Sequence, residues 1–159
     1  MVSHIMSPED AKKVVYMTRF YPLGRRPVDG GNADGSYCMI EQAEYNRQAN
    51  DNRFIVLQIE DPEAMKKIDE IAAVPGYDIL FFGPGDYSHS IGHSGEFDHP
   101  EVVSGFKRVA EAAKKHGKFA GTVGSMAVAN ERLNMGYQFL NLGADMVSLS
   151  KYFSEIADF

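Results

Sequence analysis

Two short apolar runs, each followed by a carboxylate, constrain the fold of this chain more than any other feature. The first is Phe54-Ile-Val-Leu-Gln-Ile-Glu60, and the second, Tyr77-Asp-Ile-Leu-Phe-Phe-Gly83, continues into Pro84-Gly85-Asp86. Runs of this kind followed by a helical pattern are typical of parallel strands that are buried on both faces. In such α/β folds the functional groups lie in the loops after the strands. We therefore expect Glu60 and Asp86 to lie near each other at one edge of a sheet.

The strand-then-helix pattern recurs along the chain and predicts a parallel sheet with right-handed crossovers. The predicted strands cover residues 1–5, 54–60, 77–83, 119–123 and 139–143. Five strands are too few to close an eight-stranded barrel, so the pattern alone leaves a partial barrel and an open doubly wound sheet as alternatives. The length of 159 residues predicts one domain, over residues 1–159.

The starts of two predicted helices have clear sequence signals, and two long loops are also predicted. Ser7-Pro8 and Asp61-Pro62 each place an N-cap residue before a proline, which favours the first turn of a helix. Loops are predicted over residues 22–40 and 86–99, a length that is usually functional or disordered. The predicted helices cover residues 7–20, 41–50, 61–74, 100–116, 125–135 and 147–158.

Composition excludes several classes of partner. A net charge of −6 argues against nucleic acid and against a membrane surface, since both require a basic face. The sequence has no apolar run near the roughly 18 residues of a membrane span. Cys38 is the one cysteine, so an internal disulfide is impossible, and we expect a cytoplasmic protein in which Cys38 is a packing residue.

The residues around the two carboxylates suggest a metal site next to an anionic substrate. Glu60 and Asp86 are hard oxygen ligands of the kind that Mg²⁺ or Mn²⁺ prefers, and two carboxylates leave positions for substrate and water. Gln58 lies two residues before Glu60, so it is expected on the same side of the strand. The turn Gly83-Pro84-Gly85-Asp86 offers backbone N–H groups, and Gly85 permits close approach of a ligand. Residue types alone leave N-capping of the next helix as an alternative role for these acids.

Other polar residues are weaker candidates. His89, His93 and His99 follow Asp86, but their irregular spacing without cysteines favours solvated loop histidines over zinc ligands. His4 is expected near the same sheet edge, in a supporting role.

The long loop between the first two helices raises two further questions. Arg25 and Arg26 are suited either to clamp a carboxylate or, as we favour, to form ion pairs that hold this loop. The glycine-rich segment 29–35 lacks the Lys-Ser/Thr of a P-loop, so nucleotide binding is not expected.

Six segments together resemble a known family, in register over essentially the whole chain. They are Arg19-Phe-Tyr-Pro-Leu-Gly-Arg-Arg26, Gln58-Ile-Glu60, Glu70-Ile-Ala-Ala-Val-Pro-Gly76, Phe82-Gly-Pro-Gly-Asp86, residues 92–100 with Asp98-His-Pro100, and residues 136–143. These segments resemble the HpcH/HpaI aldolases of the phosphoenolpyruvate/pyruvate superfamily, which are (β/α)₈ barrels, and the branch that includes macrophomate synthase.

This resemblance implies a metal-dependent (class II) aldolase that cleaves a 2-oxo-4-hydroxy acid to pyruvate and an aldehyde. Glu60 and Asp86 match the ligands of the Mg²⁺ or Mn²⁺ ion, and Gln58 matches an active-site glutamine. The backbone of Gly83, Pro84, Gly85 and Asp86 matches the turn that holds the pyruvate carboxylate. A cation at this position stabilises the charge that develops on the pyruvate enolate.

The resemblance also has a gap. Family members carry three more βα units before the position that matches Met1, and these supply a catalytic histidine and an arginine that His4 and Arg25 do not match. We therefore expect the C-terminal five βα units of a barrel with weak or absent aldolase activity. Unpaired strand edges predict a homo-oligomer. The alternatives are a non-catalytic module that binds metal and 2-oxo acids and, less favoured, a doubly wound phosphate-binding domain.

Overall fold

A parallel sheet organises the computed structural model, which describes residues 1–157. Its strands lie side by side in chain order, and each neighbouring pair is parallel. A doubly wound sheet would reverse its strand order part-way, so sequential order is the arrangement of a barrel. The strands are β1 (Val56–Ile59), β2 (Ile79–Phe82), β3 (Phe119–Gly124) and β4 (Tyr137–Leu142).

The helices that follow Ser7 and Asp61 begin where the sequence predicts, for the predicted reasons. The side chain of Ser7 accepts a hydrogen bond from the Asp10 N–H at 3.2 Å, and that of Asp61 accepts one from the Glu63 N–H at 2.7 Å. The predicted end of the last helix, Asp158, lies outside the described residues. The helices are α1 (Pro8–Thr18), α2 (Gln42–Asn52), α3 (Pro62–Lys66), α4 (Ile68–Ala72), α5 (Pro84–Ser90), α6 (Pro100–Lys115), α7 (Met126–Asn134) and α8 (Asp145–Ala157), with a 3-10 helix at Ala33–Cys38.

The first predicted strand is the one that the structure reduces most. Instead of a strand over residues 1–5, Val2 forms a single parallel bridge with Leu57. His4 has a φ of +57°, in the left-handed region, which ends an extended conformation. The other four predicted strands are confirmed with slightly shifted ends.

Two predictions about the segments after β1 and β2 are corrected. The helix predicted over residues 61–74 is divided into α3 and α4 at Lys67, whose φ of −106° and ψ of 15° are not helical. The loop predicted from Asp86 begins instead as helix α5, because Pro84 occupies its first turn and fixes a helical φ.

The two faces of the sheet have different environments. Leu57, Ile59, Leu80 and Phe82 belong to the main core cluster, which also contains residues from most of the helices. The opposite face has a small cluster of Val56, Ile79 and Phe81 packed against Phe139, with no helical residue among its described members. Because side chains alternate along a strand, Gln58 shares this second face with Val56. Gln58, and Glu60 two residues later, therefore lie on the face that would form the interior of a barrel.

None of the helices within residues 1–157 combines the length and the apolar character that crossing a membrane requires.

Candidate active site

Glu60 follows the last residue of β1 and is a buried carboxylate with both oxygens engaged. Glu60 is only 5% exposed to solvent. Oε1 accepts a hydrogen bond from the backbone N–H of His4 at 2.7 Å, and Oε2 accepts one from Nε2 of Gln58. An ionised carboxylate has about four lone-pair positions, so acceptor capacity remains for a ligand. The contact with Gln58 confirms that the two side chains share one face of the strand.

Gly83 places the end of β2 directly against this carboxylate. Its N–H donates to the carbonyl of Ile59 at 2.9 Å, which extends the pairing of the two strands by one step. A Cβ at Gly83 would lie 2.8 Å from Oε2 of Glu60 and 2.9 Å from Nε2 of Gln58. Such distances are shorter than real Cβ contacts, so only glycine fits here without displacing the acid or the amide.

Asp86 lies on the exposed surface of the first turn of α5, three residues after Gly83. The pairing of Ile59 with Phe82 sets the ends of β1 and β2 side by side, so Glu60 and Asp86 follow neighbouring strand ends. That the two side chains lie close together stays a prediction. Neither acid is an N-cap, because Asp61 caps α3 and Gly83 is the N-cap of α5. The alternative that these acids serve as helix caps is therefore wrong.

The donor atoms at this edge suit one class of metal ion. Within residues 1–157, no three His, Cys, Asp or Glu side chains are grouped closely enough to hold a metal by themselves. A zinc site of three or four protein ligands does not fit this arrangement. Mg²⁺ is commonly held by one or two carboxylates together with water and substrate oxygens, and Glu60 with Asp86 provides that number.

The sequence matches the family described as HpcH/HpaI aldolase/citrate lyase over residues 1–151. The chain belongs to this family. It is 30% identical over 159 residues to a 5-keto-4-deoxy-D-glucarate aldolase from Shigella boydii serotype 18, an alignment that covers 99% of this chain and 61% of the relative.

Solved structures of the same family agree with the fold. An HpcH/HpaI aldolase from Desulfitobacterium hafniense DCB-2 superposes with a TM-score of 0.91 at 31% identity, covering 99% of this chain and 61% of that one. Macrophomate synthase superposes with a TM-score of 0.80 at 26% identity, covering 98% and 55%. The chain thus spans about three fifths of the length of its relatives, 61% for the Shigella aldolase. The partial-barrel prediction is confirmed, and the doubly wound sheet is excluded.

Three histidines of this HpcH/HpaI family member make structural contacts. The rings of His93 and His99 stack with centroids 3.7 Å apart. His99 is also the N-cap of α6, since its Nδ1 accepts from the Glu101 N–H at 3.3 Å. His4 contacts the site through its backbone N–H, and its side chain is exposed. The supporting position predicted for His4 is confirmed, but its imidazole is not the group that contacts Glu60.

Arg25 and Arg26 of the long loop contact nearby aromatic and acidic side chains. The guanidinium of Arg26 lies 3.9 Å from Asp34 and stacks 4.7 Å from the centroid of Phe20. Arg25 stacks over the ring of Tyr21 at 5.3 Å. The ion pair of Arg26 with Asp34 confirms the favoured structural role for this residue.

Ser88 makes buried contacts beside this site that were not predicted from the sequence. It is fully buried in α5, and its hydroxyl donates to the carbonyl of Gly85 at 2.7 Å. The prediction of a loop from Asp86 onward concealed this contact. The signal was present in the sequence: a proline at the first helical turn with a serine four residues later can reach back to a carbonyl of that turn.

Proposed function

We propose that this chain forms the metal- and pyruvate-binding part of a carbon–carbon lyase. The reaction is the cleavage of a 2-oxo-4-hydroxy acid to pyruvate and an aldehyde. The observation that carries this proposal is the buried Glu60 carboxylate, held by Gln58 and facing Gly83, in a member of the HpcH/HpaI family. The aldolase name of the Shigella relative supports the reaction class.

Glu60 and Asp86 are the proposed ligands of Mg²⁺ or Mn²⁺. When bound, the divalent cation supplies an electrophile that withdraws electron density from the 2-oxo group and offsets the charge that develops as the bond breaks. The burial of Glu60 favours a cation beside it, because buried charges in proteins are usually paired or coordinate a metal. Gln58 has two proposed roles: it holds Glu60, and it orients a substrate oxygen.

The turn from Gly83 to Asp86 is the proposed holder of the substrate carboxylate. The N–H of Gly83 is already used by Ile59, and Pro84 has no N–H. The donors available from this turn are therefore the N–H groups of Gly85 and Asp86, which lie in the first turn of a helix, where intrahelical partners are missing. Gly85 has open space around the position of a Cβ, as a close approach requires.

Proton transfer is the part of the reaction that we assign to no residue between 1 and 157. Cleavage requires a base for the 4-hydroxyl proton and an acid for the carbon that becomes the pyruvate methyl group. The groups identified here bind and orient the substrate, and none of them is placed to act as both the base and the acid. We therefore expect weak or absent turnover, and a non-catalytic module that binds metal and 2-oxo acids is the second candidate function.

Calorimetry and a product assay on the 159-residue chain test both functions. Pyruvate is titrated into protein with and without saturating Mn²⁺, and pyruvate release from a 2-oxo-4-hydroxy acid is measured in parallel. Metal-dependent binding with release supports the lyase, whereas binding without release supports the module. Absence of binding under both conditions would refute the site. A homo-oligomer and a cytoplasmic location stay predictions.

A further inference from the structure

Ser88 connects the proposed carboxylate-binding turn to the loop that follows α5. Its hydroxyl donates to the Gly85 carbonyl at 2.7 Å and accepts from the Gly95 N–H at 3.0 Å. Its own carbonyl accepts from the His93 N–H at 2.8 Å. One fully buried residue thus contacts both the first turn of α5 and two backbone groups of the loop over residues 91–99.

The contact with Gly85 determines a direction that matters for binding. The carbonyl of Gly85 and the N–H of Asp86 belong to the same peptide unit, which is planar. A hydroxyl that fixes the carbonyl oxygen therefore also fixes the N–H of the same peptide, which points in the opposite direction. Gly85 is the residue least able to restrict this peptide by itself, because glycine lacks a Cβ and its neighbourhood is open. The Ser88 hydroxyl adds a restraint on this peptide to that of the helical backbone of α5.

The contact with Gly95 separates Ser88 from an ordinary helical serine. Serine within a helix often donates to a carbonyl three or four residues earlier, and that bond alone is local. Here the same oxygen also accepts from a backbone group seven residues later, and the side chain is shielded from water. Both the donor and an acceptor position of the hydroxyl are used in fixed directions, so the hydroxyl cannot rotate freely.

We propose that Ser88 is a positioning residue for the substrate carboxylate. It acts through the Gly85–Asp86 peptide, by keeping the Asp86 N–H directed at the ligand, and it couples this turn to the loop over residues 91–99. This inference rests on the proposed function, since it assumes that the turn holds a 2-oxo acid. It adds a residue that touches neither the substrate nor the metal.

Three variants of the 159-residue chain test the proposal by calorimetry with pyruvate at saturating Mn²⁺ and, separately, with Mn²⁺ alone. Ser88→Ala removes the hydroxyl, Ser88→Thr retains it, and Ser90→Ala removes an exposed hydroxyl from the same helix. We expect Ser88→Ala to weaken pyruvate binding by about tenfold, the effect of one hydrogen bond. Its affinity for Mn²⁺ alone should stay within about twofold of wild type, while Ser88→Thr restores pyruvate binding and Ser90→Ala leaves it unchanged.

The outcomes are distinguishable from failure of the proposed function. If the wild-type chain binds no pyruvate with Mn²⁺, the proposed function fails, and this inference fails with it. If the wild type binds and Ser88→Ala binds equally well, only the inference is wrong. Equal losses of pyruvate and Mn²⁺ affinity in Ser88→Ala would show a merely structural role and also overturn it.

Amide hydrogen exchange in the wild type provides a measurement that depends on no variant. The Gly95 amide should be protected in the free chain, and pyruvate with Mn²⁺ should slow its exchange further, because the hydroxyl that it contacts is shared with the binding turn. Unprotected exchange at Gly95, or exchange that is unchanged by pyruvate, would overturn the coupling between turn and loop.

Discussion

Gln58 donates a hydrogen bond from its amide to Oε2 of Glu60, which lies two residues later and directly after the same strand. The other oxygen of Glu60 is held by the backbone N–H of His4. Donors from two different segments therefore fix the orientation of the acid before any ligand binds. A metal-binding carboxylate requires preorganisation of this kind, because a carboxylate that must reorient to reach the metal binds it more weakly.

Replacement of Glu60 by glutamine should remove metal binding without unfolding the chain. The single acceptor oxygen of the new amide can keep the contact with the His4 N–H, and its NH₂ group then faces Gln58, whose amide can turn to accept with its own oxygen. We expect Mn²⁺ affinity to fall by more than the 10–100-fold that loss of a supporting partner typically costs. Calorimetry measures it. Glu70→Gln, at an exposed position on α4, is the matched control and should bind as wild type does. Unchanged Mn²⁺ affinity in Glu60→Gln would contradict the assignment.

Gly83→Ala tests whether close packing around Glu60 is essential. The added methyl group would lie 2.8 Å from the carboxylate, so the acid or the strand end must move. We expect a loss of about 1–3 kcal/mol in the free energy of unfolding, as for overpacking elsewhere, together with weaker Mn²⁺ binding. Urea unfolding measures the first effect. Gly30→Ala, whose nearest contact would be an ordinary 3.8 Å to Cys38, should change stability by less than about 0.5 kcal/mol. Equal stability of the two variants would show that the site tolerates the methyl group.

The strand ends could be predicted from the sequence because they depend on a short-range pattern. The two-residue period of a strand places Gln58 with Glu60, and buried parallel strands have apolar runs that are visible without a structure. The sequential strand order, which excludes a doubly wound sheet, depends on long-range packing that no local pattern contains. The family resemblance supplied that step, through motifs spread along the chain.

Most of the predictions that failed involve backbone conformation; the exception is Cys38, which was expected to be a packing residue and is exposed. Gly83-Pro84-Gly85 has the composition of a turn, since glycine occurs on both sides of the proline, yet the proline starts a helix as it does at Ser7-Pro8. The left-handed conformation of His4 cannot be inferred from residue type, because histidine adopts it only in a particular tertiary setting. The buried role of Ser88 depends on both the helix and the returning loop, so it required the fold.

Arg19 should be the most sensitive charged residue for stability. Its buried guanidinium donates to the carbonyls of Gly76, Asn50 and Arg53, and it forms a 2.8 Å ion pair with Asp78. Arg19→Met leaves the three carbonyls without this donor, and Asp78 keeps only its hydrogen bond from the Ile55 N–H. We expect a loss of about 3 kcal/mol in the free energy of unfolding, the lower end for a broken buried pair, because Asp78 is partly exposed.

Arg25→Met is the comparison for this variant, because Arg25 is an exposed arginine that stacks on Tyr21. It should change the free energy of unfolding by less than about 0.5 kcal/mol. Urea titration of both variants decides the question. A loss in Arg19→Met no larger than that in Arg25→Met would show that water satisfies the freed carbonyls.

Asp34 should make the long loop sensitive to acid. Its hydrogen bond with Arg53 holds the pKa of Asp34 below the ordinary value of 3.8. The unfolded chain therefore takes up this proton first as pH falls, so the stabilisation by Asp34 is complete well above pH 3.8 and is lost as pH falls through the lower folded pKa. The effect is small, since the pair is partly exposed.

Limited proteolysis between pH 3 and 7 of wild type and Asp34→Asn measures this effect at the long loop, with the pH range spanning about three units above the ordinary carboxyl pKa. The wild-type loop should resist cleavage better at neutral pH, and the difference should disappear in acid. Asp29→Asn, which removes an exposed carboxylate from the same loop, is the control. A difference between wild type and Asp34→Asn that persists at the lowest pH would contradict the ion-pair explanation.

Helix α8 should drive self-association of the chain. Its six large apolar side chains are each more than half exposed: Met146, Val147, Leu149, Tyr152, Phe153 and Ile156. The last four have the spacing of a single helix face, and an exposed apolar face of this size usually marks an interaction surface. The sheet also ends in the described chain at β4, an edge strand with free backbone groups that can pair. Both features favour contact between copies.

Light scattering over a range of concentrations should therefore show an average mass that rises above 17.6 kDa. The double variant Leu149→Glu with Phe153→Glu places two charges on the apolar face and should shift the chain towards the monomer. Ser150→Glu with Ser154→Glu adds the same charges, at the same spacing, on exposed polar positions of α8, and should associate as wild type does. Equal dissociation by both double variants would attribute the effect to net charge, and a wild-type mass of 17.6 kDa at every concentration would show that α8 does not mediate association.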